Sequence, residues 1–217
     1  MTVQLIPYLT FGGQFIRTTV HDQNPGAQAD IPPADRYDEK FSLNQWALYA
    51  EDEWHLRDDF ILTLGLRYSD HELYGGHITP RIYGVWDATP ALTVKGGIST
   101  GFRAPDIRNI APGYALTTGG ANCSRNDPPS CGVILGNPDL SAEKTTNIEI
   151  GALYEGSGYS LSATAFHTRF RDKLQQVNTG DPWLDGPEYT ASDGSLHRYV
   201  IYRNFNVDRA TIKGLEL

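Results

Sequence analysis

The chain has 217 residues, a formal net charge of -8 and a hydrophobic content of 40%. This acidic balance leaves no basic stripe to neutralise phosphates, so we exclude nucleic acid as a partner. No run of about 18 or more apolar residues is present, which excludes a transmembrane helix, so a closed β-barrel is the one way in which such a chain would cross a bilayer.

Apolar and polar residues alternate along several segments, as expected for strands that have one apolar face. No segment of useful length has the helical period, so the predicted class is all-β. In chain order, the predicted strands are residues 3–20, 43–54, 60–69, 78–86, 91–102, 145–154, 159–171 and 198–217, the last with a kink near residues 204–206.

The clearest alternation lies in residues 60–68. It places the leucines at positions 62, 64 and 66 on one face of the strand, and Thr63 and Arg67 on the other. Residues 91–102 repeat the pattern. Both segments are long enough for a tilted transmembrane strand, which needs about 9–11 residues.

The connections between the predicted strands alternate in length. Short connections are expected at residues 55–59, 87–90 and 155–158, and longer ones at 21–40, 70–77, 103–143 and 172–197. Alternate connections of an up-and-down sheet lie at the same end, so one end has only tight turns, as in outer-membrane barrels. We therefore expect sequential antiparallel pairing throughout, with no parallel pair. Aromatic residues beside the short turns predict an interfacial girdle: Trp54, Phe60, Trp86, Tyr154 and Tyr159.

The two cysteines, Cys123 and Cys131, lie close together in a stretch rich in Gly, Asn, Asp and Pro. The preferred interpretation is a disulfide that closes a short loop in an oxidising compartment. Two unpaired thiols are an alternative. A two-ligand zinc site is disfavoured, because no histidine lies within the loop.

Several segments resemble the barrel of the TonB-dependent siderophore receptors. They are residues 45–54 (QWALYAEDEW), 94–105 (VKGGISTGFRAP), 136–144 (GNPDLSAEK) and 206–217 (NVDRATIKGLEL). The run GGHITPR at residues 75–81 and the cysteine pair are similar to the catecholate branch, including its members that serve as colicin receptors.

The resemblance implies an antiparallel up-and-down transmembrane β-barrel in the outer membrane of a Gram-negative bacterium. The plug domain of the family and its final strand with an aromatic end are absent from the sequence. We therefore expect residues 1–217 to form one partial barrel domain, about eight strands of a barrel of about 22.

The resemblance also implies import of a ferric siderophore, of the catecholate class by branch, as a transported ligand and not as a cofactor. It implies outer-membrane lipid as the surroundings, TonB as a partner through the plug domain, and colicins or phages as further partners. An anionic ligand requires cations at the outer mouth, and a catechol ring can stack on an aromatic side chain. The candidate ligand-binding residues are Arg103, Arg108, Tyr114 and Arg125. For each arginine, the alternative is a structural ion pair.

No nucleophile elbow, paired metal ligands or phosphate-binding loop is recognisable, so an enzyme is not expected and no catalytic residue is assigned. The histidines match no common ligand spacing, and a siderophore already holds its iron, so we expect no metal site in the protein. Two other functions remain as alternatives: a surface adhesion or carbohydrate-binding β-sheet protein, and a passive porin.

Overall fold

A computed structural model describes residues 7–21, 40–111, 114–117, 131–186 and 188–217. Strands dominate it, which confirms the predicted all-β class. The elements are β1 (Pro7–His21), β2 (Lys40–Arg57), β3 (Phe60–His71), β4 (Gly75–Thr89), β5 (Leu92–Arg103), α1 (Ile107–Ile110), β6 (Ala115–Thr117), β7 (Gly132–Leu135), β8 (Glu143–Gly156), β9 (Tyr159–Pro182), β10 (Glu188–Thr190), β11 (Leu196–Arg198) and β12 (Val200–Glu216).

The eight long strands lie side by side in the order β1-β2-β3-β4-β5-β8-β9-β12, and each neighbouring pair is antiparallel. Two-residue turns at 58–59, 90–91 and 157–158 join three of the pairs. In the last turn Gly158 has φ of 90°, a conformation that favours glycine. These three turns define the turn end of the sheet, and the opposite end is the loop end. The predicted short connections are thus confirmed.

The prediction of sequential antiparallel pairing throughout is wrong at one edge of the sheet. There β7 pairs in parallel with the first residues of β12, and β6 pairs antiparallel with β7. The connection between β5 and β8, predicted as a plain loop, therefore contributes strands and α1. The start of β12 presents backbone groups that β9 does not use, and residues 132–135 pair with them.

Strand β9 is longer than predicted. Residues 173–182 were assigned to a loop, yet β9 continues to Pro182 and pairs with β12 over this length. A register shift of β12 lies between Val200 and Tyr202, and residues 204–206 pair with β9 without a shift. The kink predicted near residues 204–206 stays a prediction. The connection at residues 70–77 is also shorter than predicted, because β4 already begins at Gly75.

Two faces of the sheet differ in character, and the strand register defines them. The apolar face carries exposed aliphatic side chains in successive strands, namely Leu48, Leu66, Ile82, Ile98 and Ile148. Of these, Ile82, Ile98 and Ile148 lie directly opposite one another. The polar face carries the intervening positions: Tyr49, Arg67, Arg81, Ser99 and Glu149. Since Leu66 and Arg67 fall on opposite faces, the predicted register of β3 is confirmed.

Large aromatic residues gather at the turn end. Phe60 and Trp86 are direct partners in β3 and β4, and the indole Nε1 of Trp86 donates to Asp59 Oδ2 at 3.1 Å. The rings of Tyr154 and Tyr159 lie 5.9 Å apart beside the third turn. The predicted position of these aromatic residues is confirmed.

The helix α1 packs against the polar face at the loop end. Ile107, Ile110 and Ala111 form a buried apolar cluster with Val20 of β1 and Leu43 of β2. This packing places the first residues of the β5–β8 connection over the polar face of the sheet. Among the described residues, no helix has the length and apolar character needed to cross a membrane.

Candidate ligand-binding site at the loop end

A cleft of about 270 Å³ opens on the polar face at the loop end. Strands β1, β2 and β3 form one wall, and the segment that leaves β5 toward α1 forms the other. Both apolar and polar groups line it: Ile16, Thr18, Gln45, His71, Arg103 and Asp106.

Asp106 fixes the segment on the second wall. Its Oδ1 accepts a hydrogen bond from the backbone N–H of Arg108 at 2.9 Å, and its carbonyl accepts one from Asn109 at 2.8 Å. Such a cap satisfies N–H groups that the first turn of a helix leaves free. Together with the burial of Ile107 and Ile110, it holds the two arginines of this segment at a defined place.

Arg103 joins the site to the neighbouring strand. Its Nη1 lies 3.6 Å from Oε2 of Glu143, its cross-strand partner. The two side chains differ in exposure, at 77% for Arg103 and 7% for Glu143. Glu143 Oε1 also accepts the backbone N–H of Leu174 at 2.7 Å. Glu143 is thus a fixed anchor, whereas most of the guanidinium of Arg103 remains open to a ligand.

The other candidate residues differ in their placement. Arg108 lies in α1 with an exposed side chain. Tyr114 is half-buried and packs against the α1 cluster, which limits the part of its ring that could stack on a catechol. The structure therefore brings Arg103, Arg108 and Tyr114 to the same loop-end region. Arg125 lies outside the described residues.

Cys131 is fully buried and disulfide-bonded. Its N–H donates to the Tyr189 hydroxyl at 3.4 Å, and its carbonyl accepts from Val200 at 2.9 Å. These contacts tie the start of β7 to β10 and β12. Cys123 lies outside the described residues, so its pairing with Cys131 stays a prediction.

The histidines near this end serve local structure. Nδ1 of His71 accepts the N–H of Leu73 at 3.2 Å, and the ring of His77 stacks on Phe102 at 3.9 Å. The hydroxyl of Tyr74 donates to the carbonyl of Leu140 at 2.9 Å, and burial raises the pKa of this tyrosine. Within the described ranges, no group of three or more His, Cys, Asp or Glu side chains is placed to hold a metal ion.

Several residues of the cleft were not among the predicted ligand-binding residues, namely Ile16, Thr18, Gln45 and His71. They belong to strands that precede the long connection by tens of residues, and nothing in their local pattern marks them as ligand contacts. Only the pairing of Ile16 with Gln45 and of Gln45 with His71 brings them into one row.

Residues 3–217 match the family described as TonB dependent receptor-like, beta-barrel. The chain belongs to this family. The expected outer-membrane localisation is thereby confirmed, as is the expectation of a receptor and not an enzyme.

Two curated relatives illustrate the relationship. The chain is 46% identical over 137 residues to the iron-regulated outer membrane virulence protein of Vibrio cholerae serotype O1, which covers 63% of this chain and 19% of that protein. It is 29% identical over 216 residues to the ferric enterobactin receptor PirA of Pseudomonas aeruginosa, covering 96% of this chain and 28% of the relative.

The crystal structure of the siderophore receptor PirA from Pseudomonas aeruginosa superposes with a TM-score of 0.77 at 27% identity, over 100% of this chain and 36% of that one. The chain spans less than a third of the length of the two curated relatives.

Proposed function

We propose that this chain forms part of the wall of an outer-membrane receptor that imports a ferric siderophore, with a catecholate as the preferred class. The apolar face lies against lipid and the polar face lines the barrel interior. Membership of the family supports this placement, and the name of PirA, a ferric enterobactin receptor, supports the class of ligand.

The observation that carries the proposal is the open guanidinium of Arg103 beside the loop-end cleft. A chain with a net charge of -8 repels a polyanion unless cations are presented locally. Arg103 and Arg108 supply such cations, five positions apart in the segment that leads from the end of β5 into α1. A guanidinium offers a planar set of donors suited to anionic oxygens.

TonB is the proposed energy source for release of the ligand, by analogy with the family name. Colicins and phages, which the resemblance also implied, stay predictions. Each of these concerns the whole receptor and is tested on the full-length protein that contains this chain.

The test replaces the three candidate arginines of the long connection with glutamine in the full-length protein. We expect ferric enterobactin to bind more weakly to R103Q/R108Q/R125Q, by about tenfold or more for each arginine that contacts the ligand. We also expect a flatter dependence of binding on salt, because fewer charges are left to be screened.

The matched control is Arg57→Gln at the turn end. Arg57 pairs with Asp59 at 2.9 Å, far from the cleft, so its loss should leave ligand affinity unchanged. Equal affinities of wild type and the triple variant across a salt titration would remove the arginines from the site.

A further inference from the structure

A row of basic residues crosses the apolar face near the loop end. Lys144 of β8 lies directly opposite Arg171 of β9, and Arg171 lies directly opposite Arg209 of β12. All three side chains are exposed. Two residues closer to the turn end, Arg169 of β9 lies opposite Thr146 of β8 and adds a fourth cation.

This arrangement is unfavourable by itself. Like charges placed directly opposite each other on neighbouring strands destabilise a sheet. Within the described part of the chain, none of these four residues forms an ion pair with an acidic side chain. Arg57, Arg81, Arg103 and Arg198, by contrast, each have a carboxylate partner. Anionic groups from outside the chain would relieve the repulsion.

A cleft of about 370 Å³ adjoins the row. Strands β4 and β5 pair from Thr89 and Leu92 as far as Arg81 and Ser99, and the ladder ends there. The next residue of β4 toward the loop end is Pro80, which has no N–H to donate. The space between the strands is lined by apolar, hydroxyl and basic groups, namely Ile78, Thr100, Phe102, Lys144, Arg169 and Arg171.

The surface between the row of basic residues and the turn end is apolar. Ile82, Ile98, Ile148 and Ile150 are 54%, 50%, 50% and 62% exposed, and they continue the same face toward the turn end. A ligand that fits must therefore combine anionic oxygens at the loop end with hydrocarbon directed toward the turn end. An acylated lipid with phosphate groups in its head has this form, and arginine and lysine are suited to its phosphates.

We propose that Lys144, Arg169, Arg171 and Arg209 form a binding site for the phosphate groups of an acylated lipid of the outer leaflet, with Phe102 and the isoleucines in contact with its hydrocarbon. The inference rests on the proposed placement of the apolar face in lipid. The basic row lies on the opposite face of the sheet from the siderophore cleft, and Phe102 lines both clefts. The variants below change the basic row and leave Phe102 in place, so the two sites are tested separately.

The experiment uses the full-length protein in detergent and lipid A, which carries both phosphates and acyl chains, as the probe. Retention of lipid A is measured by native mass spectrometry for wild type and for K144Q/R169Q/R171Q. We expect the apparent affinity of the variant to fall on the order of a hundredfold, because each basic residue near a lipid surface contributes separately. The double variant R57Q/K95Q, which removes cations elsewhere, should retain lipid A like wild type.

Two further measurements identify the source of the anion. Inorganic phosphate should not displace lipid A, because phosphate makes no contact with the apolar surface. Displacement of lipid A by an equal concentration of phosphate would assign the site to free phosphate and overturn the proposal. Lipid A without its phosphates should be retained no better by wild type than by the triple variant. If the triple variant does not fold, retention by wild type should still decrease as salt is raised.

Equal retention of lipid A by wild type and triple variant, or retention by wild type that does not change with salt, would contradict the proposal. Binding of ferric enterobactin is recorded on the same samples. If wild type and the triple variant retain lipid A equally while wild type binds ferric enterobactin, only the proposed lipid site is overturned. Failure of wild type to bind ferric enterobactin counts against the proposed function.

Discussion

The guanidinium of Arg81 reaches across an intervening strand to the carboxylate of Glu51, with Nη1 and Oε2 3.4 Å apart. The residue between them in the register is Gly65, which pairs with Glu51 on one side and Arg81 on the other. A side chain at this position would stand between the two charges. The ion pair on the polar face therefore depends on a glycine in β3.

Replacement of Gly65 tests this relationship. A Cβ at this position would lie 3.3 Å from Glu51 Oε2 and 3.6 Å from Arg81 Cβ. We expect Gly65→Ala to be tolerated, because the carboxylate can move slightly. Gly65→Val should lower the free energy of unfolding by about 1–3 kcal/mol through overpacking. Thermal unfolding of the full-length protein in detergent measures both, and equal stability of the two variants would contradict the prediction.

The two faces of β3 should differ sharply in their tolerance of charge. Leu66 is 54% exposed on the apolar face and has Ala50 and Pro80 as cross-strand partners. If this face lies in lipid, Leu66→Arg should cost about 2–4 kcal/mol near the middle of the bilayer. Thr63→Arg, on the polar face of the same strand, is the matched control and should cost less. Refolding into lipid vesicles gives both values, and similar losses would disprove the assignment of the faces.

Glu143 and Arg103 should contribute unequally to stability although they form one ion pair. Glu143→Ala leaves the N–H of half-buried Leu174 without its acceptor, and an unsatisfied donor there costs up to about 3 kcal/mol. Arg103→Ala removes the exposed partner, and an exposed ion pair contributes about 0–1 kcal/mol. Thermal unfolding and protease cleavage between β5 and β8 report the difference. Equal losses for the two variants would mean that the ion pair, and not the hydrogen bond to Leu174, holds this region.

Reduction of the predicted disulfide should act locally. Cys131 is buried beside Tyr189, and the segment between the two cysteines is short. Loss of a bond that closes such a loop costs at most about 3 kcal/mol in the chain-entropy description, and the loop lies outside the long strands. We expect faster proteolysis of residues 118–130 with little change in the unfolding temperature. Labelling of both thiols in the unreduced protein would show that Cys123 and Cys131 are not paired.

Strand positions were predictable wherever the chain has one apolar face. Alternation in residues 60–68 placed Leu66 and Arg67 correctly, because that face is determined by the period of a strand alone. The continuation of β9 beyond Arg171 was not predicted, because the prediction depended on this alternation. Residues 173–182 have polar groups on both faces, so no alternation marks them, yet their backbone groups pair with β12.

The sequence by itself determined the family, the all-β class, the three tight turns and the presence of cations in the connection after β5, because motifs and periodicity are local properties of the chain. Only the tertiary structure decided which cations meet. Lys144, Arg171 and Arg209 are separated by 27 and 38 positions in the sequence, and pairing of β8, β9 and β12 places them in one row. The cleft beside Arg103 likewise depends on packing of α1 against β1 and β2. These segments are far apart in the sequence, and an apolar residue does not specify which other apolar residue it packs against.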